Sequence, residues 1–107
     1  MTTFTSGSTN SAAAETDLFA TVVSDAYHAC LIFLQNMALG DTMVFRVYVF
    51  DDNAGVLRLA DTPTTISGQQ SISPTLYVAP IATRQFKVTV QRTLGSDRAI
   101  TWCRAVG

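Results

Sequence analysis

The chain has 107 residues, a net charge of −1, 48% hydrophobic residues and 14% charged residues. That is one domain's worth, large enough to bury about two-thirds of its extended surface, and too apolar for an acidic disordered chain. The charged fraction falls well below the roughly 25% of an ordinary domain, and with no basic excess the chain suits neither nucleic acid nor an anionic membrane. With a mean hydropathy of +0.25, part of its apolar surface is expected to meet another protein.

Residues 1–15 are rich in Thr, Ser and Ala, with Phe4 their one aromatic. They read as a flexible polar N-terminal arm, unable to build a core of their own. The first residues carry neither a basic n-region nor an apolar run, so they do not read as a secretory signal. The longest apolar stretch, 29–34, is far short of the roughly 20 residues that span a bilayer. Synthesis in a reducing cytoplasm is therefore expected, with Cys30 and Cys103 as buried free thiols by default. A bridge between them stays open at this level.

Residues 16–107 read as one β-domain. Residues 18–23 form a short candidate strand. Residues 27–34 are apolar on both faces, with Ala29, Leu31 and Phe33 on one side and Cys30, Ile32 and Leu34 on the other. Such a strand is central, or is covered on its second side. A turn at 36–41 contains Gly40. Residues 43–50 are nearly all β-branched or aromatic, broken by Arg46, and predict a strong strand. A polar hairpin loop follows at 51–55. Short candidates at 56–60, 64–72 and 75–78 are punctuated by Pro63, Pro74 and Pro80, which points to edges and crossings. Phe86, Val88 and Val90 alternate with Gln85, Lys87, Thr89 and Gln91, the cleanest half-buried strand in the chain. After a loop at 95–97, Ile100, Trp102 and Val106 share one side of the last strand, with Arg104 interrupting. The fold class expected is all-β: a single antiparallel β-sandwich, jelly-roll or Greek-key-like, with an extended N-terminal arm.

Chemical motifs are sparse. The single histidine, His28, reads as a packed core residue. No G-x-S-x-G elbow presents a nucleophile, and no Cys or His pair has metal-ligand spacing. Asp51, Asp52 and Asn53 lack the ligand order of a calcium loop and read as a solvated hairpin. Arg84, Lys87, Arg92, Arg98 and Arg104 make the last third locally basic, and read as a solvated sheet face with cross-strand pairs. Trp102 directly precedes Cys103, which does not match the immunoglobulin arrangement. No catalytic, cofactor-binding or metal-binding residue is expected, and no enzyme activity.

Two stretches carry a family likeness. One runs through Leu18-Phe19, Tyr27, Met37, Gly40-Asp41-Thr42 and Arg46. The other runs from Lys87 to Gln91, then Thr93, Gly95, Arg98 and Trp102. Together they resemble small β-sandwich virion structural proteins of tailed phages, of the head decoration (cement) type, over residues 15–107. The resemblance implies a non-enzymatic capsid-stabilising protein, a homotrimer bridging subunits of the major capsid protein. It would be made in the host cytoplasm and located on the capsid surface of the virion, without nucleic-acid or membrane partners. The interface residues expected on this reading are Phe4, Thr5, Leu31, Phe33, Tyr48 and Phe50. The alternative is a tail- or fibre-associated receptor- or carbohydrate-binding module, with Tyr48, Tyr77 and Trp102 as stacking candidates.

Overall fold

The computed structural model describes residues 2–70 and 75–107. Eight strands follow in chain order: β1 (Thr3–Asn10), β2 (Thr16–Asp17), β3 (Val22–Phe33), β4 (Thr42–Asp51), β5 (Val56–Leu59), β6 (Thr64–Ser67), β7 (Thr75–Leu94) and β8 (Ala99–Val106). All pairings are antiparallel, so the all-β antiparallel expectation holds. The segment expected at 64–72 ends in residues outside those described.

The sheet order is β1-β8-β3-β7-β4-β5, with β2 against β7 and β6 against β4. β7 organises the molecule. Its first part pairs with β3, from Thr75 opposite Phe33 to Phe86 opposite Val22. From Phe86 onward it pairs with β4, running to Leu94 opposite Thr42. The continuous sheet thus has two wings. One wing is β1, β8, β3 and the first part of β7; the other is β5 and β6, β4, the second part of β7, and β2. Among the described strands only the β4–β5 pairing joins neighbours in sequence, a non-local Greek-key-like connectivity.

The strands close on a core of Leu18, Phe19, Cys30, Ile32, Leu34, Met37, Met43, Phe45, Phe86, Val88, Val90, Ile100 and Trp102. Each strand contributes alternate residues, as period-two patterning requires. Phe19 sets its ring edge-on to Trp102, with centroids 5.0 Å apart. At 25 cal/mol per Å², each such aromatic is worth about 2–3 kcal/mol of burial.

Two expectations about strand extents differ from the structure. Residues 75–78 and 85–91 are parts of one 20-residue strand, which runs through Pro80. Pro80 is accommodated because this part of β7 is an outer strand with a register shift opposite His28 and Cys30; a missing N–H is tolerated at such a place. Residues 18–21 are not strand. Leu18 and Phe19 turn into the core instead, plugging the sandwich where β2 gives way to β3.

The polar segment 3–10 lies along β8 as β1, in unbroken register from Thr3 opposite Val106 to Asn10 opposite Ala99. Gly7 makes this fit. A Cβ there would stand 2.6 Å from the Trp102 ring, so the backbone of β1 passes directly over the indole. Thr9 then accepts a hydrogen bond from Trp102 Nε1 at 3.3 Å and donates to the Leu18 carbonyl. A segment too polar to form a core is held by the ladder and by one aromatic lid.

Candidate assembly surfaces

The two wings differ on their outer faces. On the β4–β7 wing, a charged and polar network covers the sheet. Glu15 accepts hydrogen bonds from Tyr48 at 2.5 Å and Thr89 at 2.6 Å. Arg46 lies 3.9 Å from the same carboxylate and donates to Gln91 at 3.0 Å, while Gln91 donates to the Ala13 carbonyl. Lys87 pairs with Asp17 and sits 4.9 Å from the Tyr48 ring centroid. The hydrogen bonds from Thr89 and Tyr48 hold the Glu15 carboxyl below its usual range, and the Glu15 bond pushes the Tyr48 hydroxyl up. The network straps residues 13–17 across the sheet.

The β8–β3 wing is different. Strand alternation and register place three rows across its outer face: Ser8, Thr101, Phe33 and Thr75; Ser6, Cys103, Leu31 and Tyr77; and Phe4, Ala105 and Ala29. None of these side chains is charged. Phe4 is 70% exposed, Tyr77 64% and Leu31 38%. Beyond Tyr27 the face ends in the exposed Asp25–Arg84 ion pair; the large apolar groups in the uncharged rows mark a contact surface rather than a solvated one.

The same wing ends in two unlike edges. The Pro80 region of β7 lacks an N–H and is irregular, two standard guards against strand pairing. β1 has neither Pro, nor charge, nor bulge along its eight residues, and no described strand lies beyond it.

Asp41 is a structural knot. Its carboxylate accepts from Arg98 Nε at 2.8 Å, from the Ala38 N–H at 2.8 Å and from the Ser96 N–H at 3.1 Å. The Arg98 bond, then the two backbone N–H bonds, bring its pKa down to about 2. The Arg98 N–H in turn donates to the hydroxyl of buried Ser11, and the Arg98 carbonyl accepts from the Ser11 N–H. A Cβ on Gly95, whose φ is +83°, would lie 2.2 Å from the Asp41 carboxylate, so glycine is required there on two counts.

The remaining candidates also have structural places. His28 is fully buried, stacks on Phe86 at 5.3 Å, and donates from Nε2–H to the Ser24 carbonyl at 2.8 Å. Arg104 belongs to no solvated face. It points inward, with its guanidinium 5.2 Å from the Phe19 ring and 5.9 Å from Trp102; alternation on β8 gives it the side of Ile100 and Trp102. Cys30 and Cys103 sit on neighbouring strands but on opposite faces, since Cys30 is opposite Arg104 and Cys103 opposite Leu31, and both are free. Among the described residues no group of three or more potential metal ligands occurs.

Of the residues expected at an interface, Phe4 and Leu31 are exposed on one face, joined there by half-buried Phe33. Thr5 alternates away from Phe4, on the side of Gly7. Tyr48 and Phe50 lie on the other wing, half-buried; Tyr48 is engaged by Glu15, and the Phe50 N–H donates to Thr83. Sequence reading missed Tyr77 and Cys103 as members of the apolar face. Each alternates within its own strand, but the pairing of β3 with both β7 and β8, which sets them beside Leu31, was not visible.

No protein-family model matches the chain, and no curated protein matches it. Solved structures share its fold, among them the following two. One is of Bacillus endospore appendages, described as a novel family of disulfide-linked pili, with a TM-score of 0.63 and 12% identity over 99% of this chain and 84% of that one. The other is a crystal structure of PirA, with a TM-score of 0.55 and 12% identity over 94% of this chain and 91% of that one. These findings correct the phage reading. The fold is shared with an endospore appendage protein and with PirA, and with no phage protein among these, so neither the decoration or tail role, nor the major capsid protein as partner, nor the virion as location is retained. The physical reason is plain: Gly40-Asp41, Gly95, Arg98 and Trp102, which carried the resemblance, serve the Asp41 knot and the Gly7–Trp102 contact. These residues therefore have structural work in this fold, independent of what the chain assembles with.

Proposed function

We propose that this chain is a non-enzymatic structural subunit that assembles with copies of itself into a fibrous, pilus-like appendage. The observation that carries the reading is the open edge of β1. An uncharged eight-residue edge strand is a template for pairing with another chain, and proteins that stay monomeric guard such edges. The sequence of β1 also suits a second copy of itself. Thr5-Ser6-Gly7-Ser8-Thr9 reads the same in both directions, so antiparallel pairing centred on Gly7 sets Ser6 opposite Ser8 and Thr5 opposite Thr9. Matched Thr and Ser pairs of this kind are favourable across strands. The fold shared with a pilus protein supports the same reading.

The test is assembly of the purified full chain over a range of concentrations, followed by sedimentation velocity and negative-stain electron microscopy. Concentration-dependent fibres are expected. A protein that stays monomeric throughout contradicts the proposal.

A further inference from the structure

Pairing of two β1 edges about a two-fold axis closes on itself and gives only a dimer. Propagation needs a second, different contact on each subunit. The outer face of the β8–β3 wing has the shape for one. Phe4 projects from it at one side. Beside it, Tyr27, Ala29, Pro80 and Ala105 surround a hollow of about 130 Å³, close to the ~150 Å³ that accommodates a benzene ring. Phe4 lies in the same row as Ala105 and Ala29, so knob and hollow are side by side along one line across the strands.

From this we infer that the outer face of the β8–β3 wing docks against the same face of a second copy, each Phe4 seating in the other's hollow. A two-fold axis running along β8 brings knob onto hollow and hollow onto knob, because it reverses the order of strands while keeping the row. The three rows at the centre of this face carry no charge and meet their own copies without like-charge repulsion, the Asp25–Arg84 ion pair lying at the far end of β3 and β7, and the small side chains of Ala29, Ala105 and Ser6 permit close approach. Four strands about 4.8 Å apart and six residues long cover roughly 400 Å² in projection. With side-chain relief on both copies, burial approaches the ~1,000 Å² needed for a specific contact. The axis passes over Cys103 on β8, so the two Cys103 thiols face each other across it.

The inference rests on self-assembly only in taking a second copy as the occupant. It is tested by comparing the full-length protein with Phe4→Ala and with Ala105→Leu, which removes the knob or fills the hollow. Circular dichroism confirms that each variant is folded. Size is read by sedimentation velocity, and the contact by Cys103 coupling with a short bismaleimide. Each variant is expected to weaken the face contact about tenfold or more, an effect of ~1.4 kcal/mol, to stop assembly at the dimer paired through β1, and to lose the Cys103 cross-link. Fibres that form equally well in folded Phe4→Ala, with an unchanged cross-link, overturn the face contact and leave the appendage reading standing. A parent protein that stops at a dimer with a Phe4-dependent Cys103 cross-link supports the face contact and counts against the appendage. A parent protein that is monomeric at every concentration overturns both.

Discussion

Arg98 donates through Nε to the Asp41 carboxylate at 2.8 Å across 57 residues of sequence. That contact joins the β3–β4 loop to the β7–β8 loop and, through Ser11, to the end of β1. Replacing Asp41 by Asn should therefore cost about 1.5–3 kcal/mol, the range for hydrogen bonds to a charged group, measured as a lower urea midpoint. The pH dependence has a defined sign. The folded carboxyl titrates at about 2 against 3.8 in a free chain, so its stabilisation is complete above the unfolded value and drains away as pH falls toward 2. Parent and Asp41→Asn midpoints should converge on acidification from about pH 4 to about pH 2.

The passage of β1 over Trp102 makes Gly7 intolerant of a side chain. Gly7→Val should cost about 1–3 kcal/mol by overpacking and shift the tryptophan emission as the indole is displaced. In a Trp102→Phe background the same substitution should cost measurably less. Equal costs in the two backgrounds would show that β1 does not cross the indole.

The two thiols should differ in reactivity. Burial pushes the Cys30 thiol up to about 12, so it holds almost no thiolate at neutral pH. Cys103 is only half-buried. Dilute native protein should titrate one thiol per chain with an aromatic disulfide reagent, and denatured protein two. Cys103→Ser should remove the native reaction.

The strap over the β4–β7 wing is a smaller contributor, because its carboxylate is partly exposed. Glu15→Gln should lower stability by no more than about 1 kcal/mol. Because the folded Glu15 carboxyl titrates below its usual value, that difference should fade as pH drops through the carboxylate range. A double-mutant cycle with Thr89→Val should show coupling between the two side chains.

Much of the sandwich was legible in the residues. The alternation at Phe86, Val88 and Val90, and the β-branched run through Val44 and Val47, mark strands whose periodicity decides their structure. The double apolar character of 27–34 was legible too, and its explanation is a covered inner face and an apolar outer one. What stayed hidden was long-range. Pro80 pointed to an edge, as found, but not to one 20-residue strand running through it. Residues 1–15 read as a flexible polar arm, because a strand held by β8 and Trp102 needs no apolar face of its own. Arg104 reads as solvated, because nothing local shows Phe19 turning beneath it. The apolar surface was signalled by Leu31 and Phe33, but its other members were fixed by the register of three strands far apart in sequence.

The claim that β1 is the assembling edge is open to one direct measurement: amide hydrogen exchange along Thr3–Asn10, compared between dilute monomer and assembled protein. Face-to-face docking leaves those backbone amides alone, whereas strand pairing engages them. The account predicts that β1 amides pointing away from β8 exchange rapidly in the monomer and become strongly protected on assembly. Assemblies in which those amides exchange as fast as in the monomer would contradict it.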